Sequence, residues 1–230
     1  MSQKYNAVIF AAGEIKNIEY SRSCCDYVIA ADRGCLAASE FGIDPERVIG
    51  DFDSLGYVPK HKELTVLPVE KDDTDTAYAV KCALGMSLKR IFILGGLGGR
   101  LDHTIANIQM LTYIARENGI GFLVNDNEAL FVIRNREVTL HGSIGQPVSV
   151  FSLSDRSIGV YERGFKYTLE DAVLETGFPL GVSNELAKES ASISVECGEL
   201  LVYVRGDMCS FIEKNRLTDG EVHQNLNIYF

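Results

Sequence analysis

The 230 residues carry a net charge of −10, with 46% hydrophobic and 23% charged side chains. That is an ordinary composition with ample core material, sufficient for one large domain or two small ones. The acidity argues against nucleic-acid and anionic-membrane partners, which select for basic surfaces, and no apolar run approaches the length of a transmembrane helix.

The apolar run at residues 8–12 is too short for a signal-peptide core and passes straight into Gly13-Glu14. The six cysteines (Cys24, Cys25, Cys35, Cys82, Cys197 and Cys209) show no C-x-x-C spacing, and several sit in apolar segments. They are expected to be buried thiols in a reducing cytoplasm, not disulfides or zinc ligands.

Short β-branched runs alternate with helical patterns through the first half. Residues 5–10, 27–31, 47–49, 64–69 and 90–94 read as strands, 34–41, 74–88 and 102–118 as helices, and 121–124 as a further strand. Alternation of this kind predicts an α/β fold, a mostly parallel sheet with helices on both faces. Ligands of such sheets bind beyond the carboxyl ends of the strands. Acidic residues fall there: Asp32 after the second run, Asp51 and Asp53 after the third, and Asp72, Asp73 and Asp75 after the fourth.

The fifth run leads into Gly95-Gly96-Leu97-Gly98-Gly99-Arg100-Leu101-Asp102-His103. Strand, glycine turn and helix N-terminus make an anion site, because backbone N–H groups point outward and no side chain blocks approach. Arg100 adds a planar cation suited to phosphate. The helix that follows places Ile105, Ile108, Leu111 and Ala115 along one face. Taken alone, the stretch also reads as a tight turn capped by Asp102. A single Asp at a strand end is usually a cap as well, and Asp72 or Asp73 before Thr74 fits that description. Repetition at consecutive strands favours a cation instead, since converging like charges destabilise a fold without one. Mg²⁺ fits best, because it commonly binds through a few carboxylates plus substrate phosphates.

Near Asn125-Asp126-Asn127 helical periodicity disappears. Residues 130–133, 137–140, 147–153, 157–161, 192–196 and 200–204 read as strands of an all-β sandwich or barrel, punctuated by glycines. The predicted boundary is a turn, dividing an α/β domain at 1–125 from a β domain at 126–230.

Ala31-Asp32-Arg33-Gly34, Gly50-Asp51-Phe52-Asp53-Ser54, Asp72-Asp73-Thr74-Asp75, the glycine stretch 95–103 and Gly181-Val182-Ser183-Asn184-Glu185 together resemble the thiamin pyrophosphokinase (thiamin diphosphokinase) family in order and spacing. The resemblance implies an α/β catalytic domain that binds ATP and Mg²⁺, then a β-sandwich that binds thiamin. It implies transfer of a pyrophosphoryl group from ATP to the hydroxyl of thiamin, giving thiamin diphosphate and AMP, in a homodimer whose active sites lie between subunits. Residue by residue, it implies that Asp51, Asp53 and Asp75 hold Mg²⁺ and that Asp32 sits at the mouth of the cleft near the nucleotide. Gly98, Gly99 and Arg100 meet the phosphates, and Lys71 and Asn107 contact phosphate or nucleotide. Asp102 stands nearest the attacking hydroxyl, as ligand or base, and Ser183 and Asn184 face thiamin. Two features depart from the family: Arg33 stands where glycine is common, and no Trp is available to stack on thiamin, a role left to an unassigned Tyr or Phe.

Two other readings compete. The strand followed by Asp51-Phe52-Asp53 has the outline of a phosphatase with an aspartyl nucleophile, which would leave Arg100 and the glycine turn unemployed. A nucleotide-sensing module would bind ATP without forming AMP. The chain lacks G-x-x-x-x-G-K-[ST] and so is not a P-loop enzyme.

Overall fold

The computed structural model describes residues 5–15, 18–216 and 226–230. Contacts divide the chain near Asp126 into two compact units.

The first unit is built on parallel strands. β1 (Asn6–Phe10), β2 (Asp26–Ala31), β3 (Arg47–Gly50), β4 (Leu64–Val66), β5 (Arg90–Leu94) and β6 (Ile120–Asn125) lie side by side in the order β6-β5-β1-β2-β3-β4, and the pairs among them are parallel. The central strands are apolar along their whole length because both faces are covered: Val8, Ile9 and Phe10 of β1 and Ile91, Phe92, Ile93 and Leu94 of β5 are fully buried. Three helices supply the cover: α1 (Gly34–Glu40), α2 (Asp75–Gly85) and α3 (Leu101–Arg116). The expected strands and helices of this half are all present, with ends shifted by a few residues.

From β1 the order runs through β2 and β3 to β4 in one direction, then resumes with β5 and β6 in the other. The reversal lies between β1 and β5, where an open α/β sheet leaves a crevice. The loops leaving these two strands are joined, Ala11 N–H donating to Leu94 O at 2.8 Å and Gly13 N–H to Gly95 O at 3.0 Å. A Cβ on Gly13 would stand 2.3 Å from Gly95 O, so only glycine permits the approach.

One face of α3 differs from expectation. Its buried residues are Asn107, Leu111, Ile114 and Ala115, whereas Ile105 is 51% exposed. The stripe through Ile105 and Ile108 is rotated away from the sheet, and the polar Asn107 takes a buried position.

Among the described residues, the second unit is antiparallel apart from one parallel pair, residues 226–229 beside 138–141. β7 (Glu128–Arg134), β9 (Pro147–Ser152), β12 (Gly181–Glu185) and β14 (Glu199–Arg205) run in the order β12-β9-β14-β7. A second sheet orders β8 (Glu137–His141), β10 (Arg156–Arg163), β11 (Leu169–Glu175), β13 (Ser190–Cys197) and β15 (Leu226–Tyr229) as β11-β10-β13-β8-β15. Phe131, Ile133, Val138, Leu140, Val150, Val160, Ile193 and Val202 are fully buried and form the sandwich core. The six strands expected here are found, and three more join them: β11, β12 and β15. The expectation that helices end near residue 125 is corrected by α4 (Met208–Asn215), whose cap Asp207 accepts from Cys209 N–H at 3.1 Å.

The cysteine expectation is corrected in part. None of the six is in a disulfide, but Cys24 and Cys197 are exposed and only Cys25 is buried. Among the described residues no helix is long and apolar enough to cross a membrane.

Gly34 opens α1 against the end of β1, and a Cβ there would stand 1.9 Å from Phe10 O and 2.5 Å from Phe10 C. Both atoms are backbone and cannot step aside. Gly34→Ala is expected to lower unfolding stability by about 3 kcal/mol, the upper range for overpacking. Thermal or urea unfolding checks this, and an unchanged midpoint would contradict it.

Candidate active site

The acidic residues at the ends of β2 and β3 converge because those ends almost touch. Asp32 takes a left-handed backbone (φ 48°) directly after β2, and its N–H donates to Ile49 O of β3 at 2.8 Å. Gly50, the last residue of β3, passes so close that a Cβ there would lie 3.0 Å from the Cα of Asp32. Phe52, also left-handed at φ 59°, turns its ring inward against Ala30 and Val48. Asp51 is thereby left beside Asp32.

Asp75 joins from the first turn of α2. The cap of that helix is Thr74, whose hydroxyl accepts from Ala77 N–H at 3.1 Å, so capping occupies none of the neighbouring carboxylates. Oxygens of Asp32, Asp51 and Asp75 all lie within 4.8 Å of one another. Lys71 Nζ sits among them, hydrogen-bonded to Asp51 Oδ2 and 3.1 Å from Asp75 Oδ1. Asp32 Oδ2 accepts from Ser54 Oγ, while its buried Oδ1 has no hydrogen-bond partner.

The electrostatics follow from this geometry. The hydrogen bond from Lys71 holds the Asp51 carboxyl below the usual carboxylate range, against the opposing effect of burial. Burial pushes Asp75 up, the charges of Asp51 and Asp32 add to the rise, and Lys71 opposes it. Burial also works against the charge on Lys71, yet its bonds to Asp51 and Asp75 leave its pKa raised overall. One ammonium thus balances three carboxylates, and the cluster keeps a negative excess suited to a hard cation.

Asp53 is exposed and lies outside this triad, and Asp32 stands within it. Asp72 is exposed, and Asp73 pairs with Lys81 at 2.5 Å.

At the glycine turn, Gly95, Gly98 and Gly99 adopt φ of 70°, 78° and 67°. Gly98 and Gly99 are exposed; a Cβ on Gly99 would meet open space, and one on Gly98 only Asn125 Nδ2 at 3.9 Å. The inner part of the turn is anchored by Asn107, whose Nδ2 donates to Gly96 O at 2.8 Å. Asn107 is 6% exposed, so its amide supports the loop from beneath. Arg100 occupies the cap position of α3 without a side-chain cap bond, and in the first turn His103 N–H donates to Asp102 Oδ1 at 3.0 Å. Arg100 and Asp102 pair in a fork, Nε to Oδ1 at 3.2 Å and Nη2 to Oδ2 at 2.6 Å. Both are largely exposed. Arg33 is exposed.

In the second unit Ser183 and Asn184 lie within β12, not in a loop. The apolar-then-polar sequence suggested a turn because β12 carries an irregularity between Gly181 and Asn184, where Ser183 has φ 62°. Ser183 is exposed, its N–H donating to Ser149 Oγ at 3.1 Å. Asn184 is 6% exposed, and its amide is used internally: Nδ2 donates to Glu162 Oε2 at 2.8 Å and to Tyr167 O at 2.7 Å, and Oδ1 accepts from Tyr167 N–H at 3.1 Å and Glu185 N–H at 3.0 Å. Sequence reasoning missed Glu162, since one carboxyl in an otherwise amphipathic strand gives no signal of burial. It also missed the role of Ser54 as the partner of Asp32.

Comparison with known proteins bears on both units. The family model described as "Thiamin pyrophosphokinase, catalytic domain" matches residues 19–122, and that described as "Thiamin pyrophosphokinase, vitamin B1 binding domain" matches residues 134–202. The chain belongs to the thiamin pyrophosphokinase family. It is similar to the thiamine pyrophosphokinase of Bacillus subtilis (strain 168), 29% identical over 181 residues, covering 76% of this chain and 85% of that protein. It is also similar to thiamin pyrophosphokinase 1 of Caenorhabditis elegans, 27% identical over 154 residues. The crystal structure of the Bacillus subtilis thiamine pyrophosphokinase matches with a TM-score of 0.78 at 27% identity, over 88% of this chain and 99% of that one. A thiamin pyrophosphokinase from Geobacillus thermodenitrificans matches at 0.77 and 27% identity, over 88% and 98%. The family match spans the acidic triad and the glycine turn as well as β12.

The balance around Lys71 gives a direct test. Lys71→Met should lower stability by roughly 3 kcal/mol in metal-free buffer, the scale of a broken buried pair. Added Mg²⁺ should then raise the melting temperature of the variant more than that of the wild type. Equal Mg²⁺ responses would contradict a cation site at the triad.

Proposed function

We propose that the chain is a thiamin diphosphokinase, transferring the pyrophosphoryl group of ATP to the hydroxyl of thiamin and releasing AMP. The observation that carries this reading is the triad itself: Asp32, Asp51 and Asp75, from separate elements, bring oxygens within 4.8 Å, and one of them, Asp32 Oδ1, is buried without a partner. Three convergent carboxylates with an unsatisfied buried oxygen fit Mg²⁺, which favours oxygen ligands and shares them with phosphates. When bound, Mg²⁺ would neutralise phosphate charge and orient the triphosphate.

The chain's own groups divide the remaining work. Asp32, Asp51 and Asp75 hold the cation, with Asp53 available from the solvent side. Lys71, already charged and facing the cluster, is placed to exchange a carboxylate for a phosphate oxygen. The open amides of Gly98 and Gly99 receive phosphate, and Arg100 offers its planar fork to two phosphate oxygens. That exchange releases Asp102 to meet the thiamin hydroxyl as it loses its proton. Asn107 contributes by fixing the turn, not by touching nucleotide. In the second unit Ser183 presents its hydroxyl towards thiamin, and Asn184 fixes the strand that carries it.

We further propose a cytoplasmic homodimer with active sites between subunits. Six cysteines outside any disulfide support a reducing compartment. Leu101 and Ile105, 72% and 51% exposed and one turn apart on α3, support a self-association face. The phosphatase alternative gains no support, since Asp51 is bonded to Lys71 and also accepts from Asp53 N–H at 3.3 Å.

Incubation with ATP, Mg²⁺ and thiamin should give AMP and thiamin diphosphate. Formation of ADP, of inorganic phosphate alone or of a phosphoenzyme would contradict the assignment. Asp51→Asn should cut turnover by about a hundredfold or more with unchanged circular dichroism, and Arg100→Lys by roughly tenfold or more in kcat, because an ammonium lacks the fork. Wild-type kcat in either variant would remove that residue from the mechanism.

A further inference from the structure

Glu162 is a glutamate with 0% exposure in the sandwich. It lies on β10, paired with Leu169 of β11 and Ile193 of β13. Its Oε2 accepts from Asn184 Nδ2 at 2.8 Å, and its Oε1 is buried with no hydrogen-bond partner. A buried carboxylate with one donor is a costly arrangement. A carboxylic acid is cheaper there, accepting from Asn184 with one oxygen and carrying the proton on the other.

Asn184 has no spare capacity. Both amide hydrogens and both lone pairs of its oxygen are committed, two of the four bonds to the backbone of Tyr167 and one to Glu185. Three of these bonds go to backbone groups and set which way the amide faces, and the fourth ties it to the carboxyl of Glu162. That amide in turn joins β12 to the segment leading out of β10. The joint is continued by Lys166 N–H to Glu185 O at 3.0 Å and Ala187 N–H to Gly164 O at 2.9 Å.

We propose that Glu162 is a positioning residue for thiamin recognition, acting in its protonated form through Asn184 to hold β12 and the backbone of Tyr167 in the arrangement that reads the substrate. This rests on the reading of β12 as the thiamin-facing strand.

The electrostatic surroundings agree. Burial pushes the carboxyl from its ordinary value of 4.5 up to about 7, with the Asn184 bond pulling the other way. No charge on the neighbouring elements contributes. Arg163 pairs with Glu170 at 3.0 Å and Lys166 with Glu185 at 2.9 Å, and Asp171, Glu175 and Glu196 are exposed. Because the folded value is the higher one, folding takes up a proton between the two values. The stability that this proton supports is present at low pH and is lost as pH rises from 4.5 to about 7.

The test compares wild type, E162Q and E162L as full chains, titrating thiamin and ATP by calorimetry at about pH 6 and about pH 8.5, with melting curves at each pH. Wild-type thiamin affinity should fall roughly three- to tenfold on raising the pH, because a charged Glu162 is costly to keep buried in the joint that holds β12, while ATP affinity holds. E162Q keeps an acceptor towards Asn184 and cannot ionise, so its thiamin affinity should stay at the wild-type low-pH level at both values. Its melting temperature should also lose the fall with pH seen in wild type. E162L, lacking the acceptor, should bind thiamin roughly three- to tenfold more weakly at both pH values. If E162L fails to fold, wild type and E162Q decide alone. A parallel pH response in wild type and E162Q would overturn the proposal, as would loss of both ligands together. A wild-type protein that binds no thiamin at either pH would instead overturn the reading on which the proposal rests.

Discussion

Everything in the first unit depends on how closely the ends of β2 and β3 approach. Asp32 can stand beside Asp51 only because Gly50 has no side chain and because Asp32 itself adopts a left-handed backbone. The convergence of like charges is unfavourable, and the structure offsets it with one buried cation, Lys71, shared between Asp51 and Asp75. The cluster is therefore preorganised and only partly neutralised, and such a site gains more from binding a cation than a fully paired one does. Local strain and charge repulsion are concentrated at the carboxyl edge of the sheet. The apolar strands behind it, fully buried in β1 and β5, give the rigidity that holds them there.

The two units solve different recognition problems with different backbones. Parallel strands ending in glycine turns present amides and carboxylates, which suits a metal and a phosphate chain. In the sandwich, buried polar groups such as Ser152, Ser157 and Asn184 bond to their neighbours. Asn184 fastens β12 through four bonds, one of them to the buried carboxyl of Glu162. Under the proposed function, substrate reading in such a unit depends on strand placement, and so on buried polar groups beneath the strand.

Much of the first unit was legible because its signals are local. Apolar runs bounded by glycine and aspartate mark strands of a parallel sheet, and the turn at residues 95–100 declares itself by composition. What was not legible depended on long-range geometry. Asp53 and Asp51 are two residues apart and equivalent in sequence, but Phe52 turns into the core between them and only Asp51 reaches the triad. Asp32 looked peripheral because nothing in the chain announces that β2 and β3 nearly touch. Ile105 fits the helical stripe, yet α3 buries Asn107 instead, since the glycine turn needs an amide beneath it. β12 escaped notice because its irregularity at Ser183 reads as a turn. α4 is only eight residues long and amphipathic over barely two turns, too short to stand out against the strands around it.

The triad is proposed to hold a divalent cation together with ATP. Electron paramagnetic resonance of Mn²⁺, titrated into the protein with and without ATP, measures this directly. The account predicts one class of bound Mn²⁺, tightened by ATP, and lost when either Asp32 or Asp51 is replaced by Asn. Undiminished Mn²⁺ binding in both variants would contradict it.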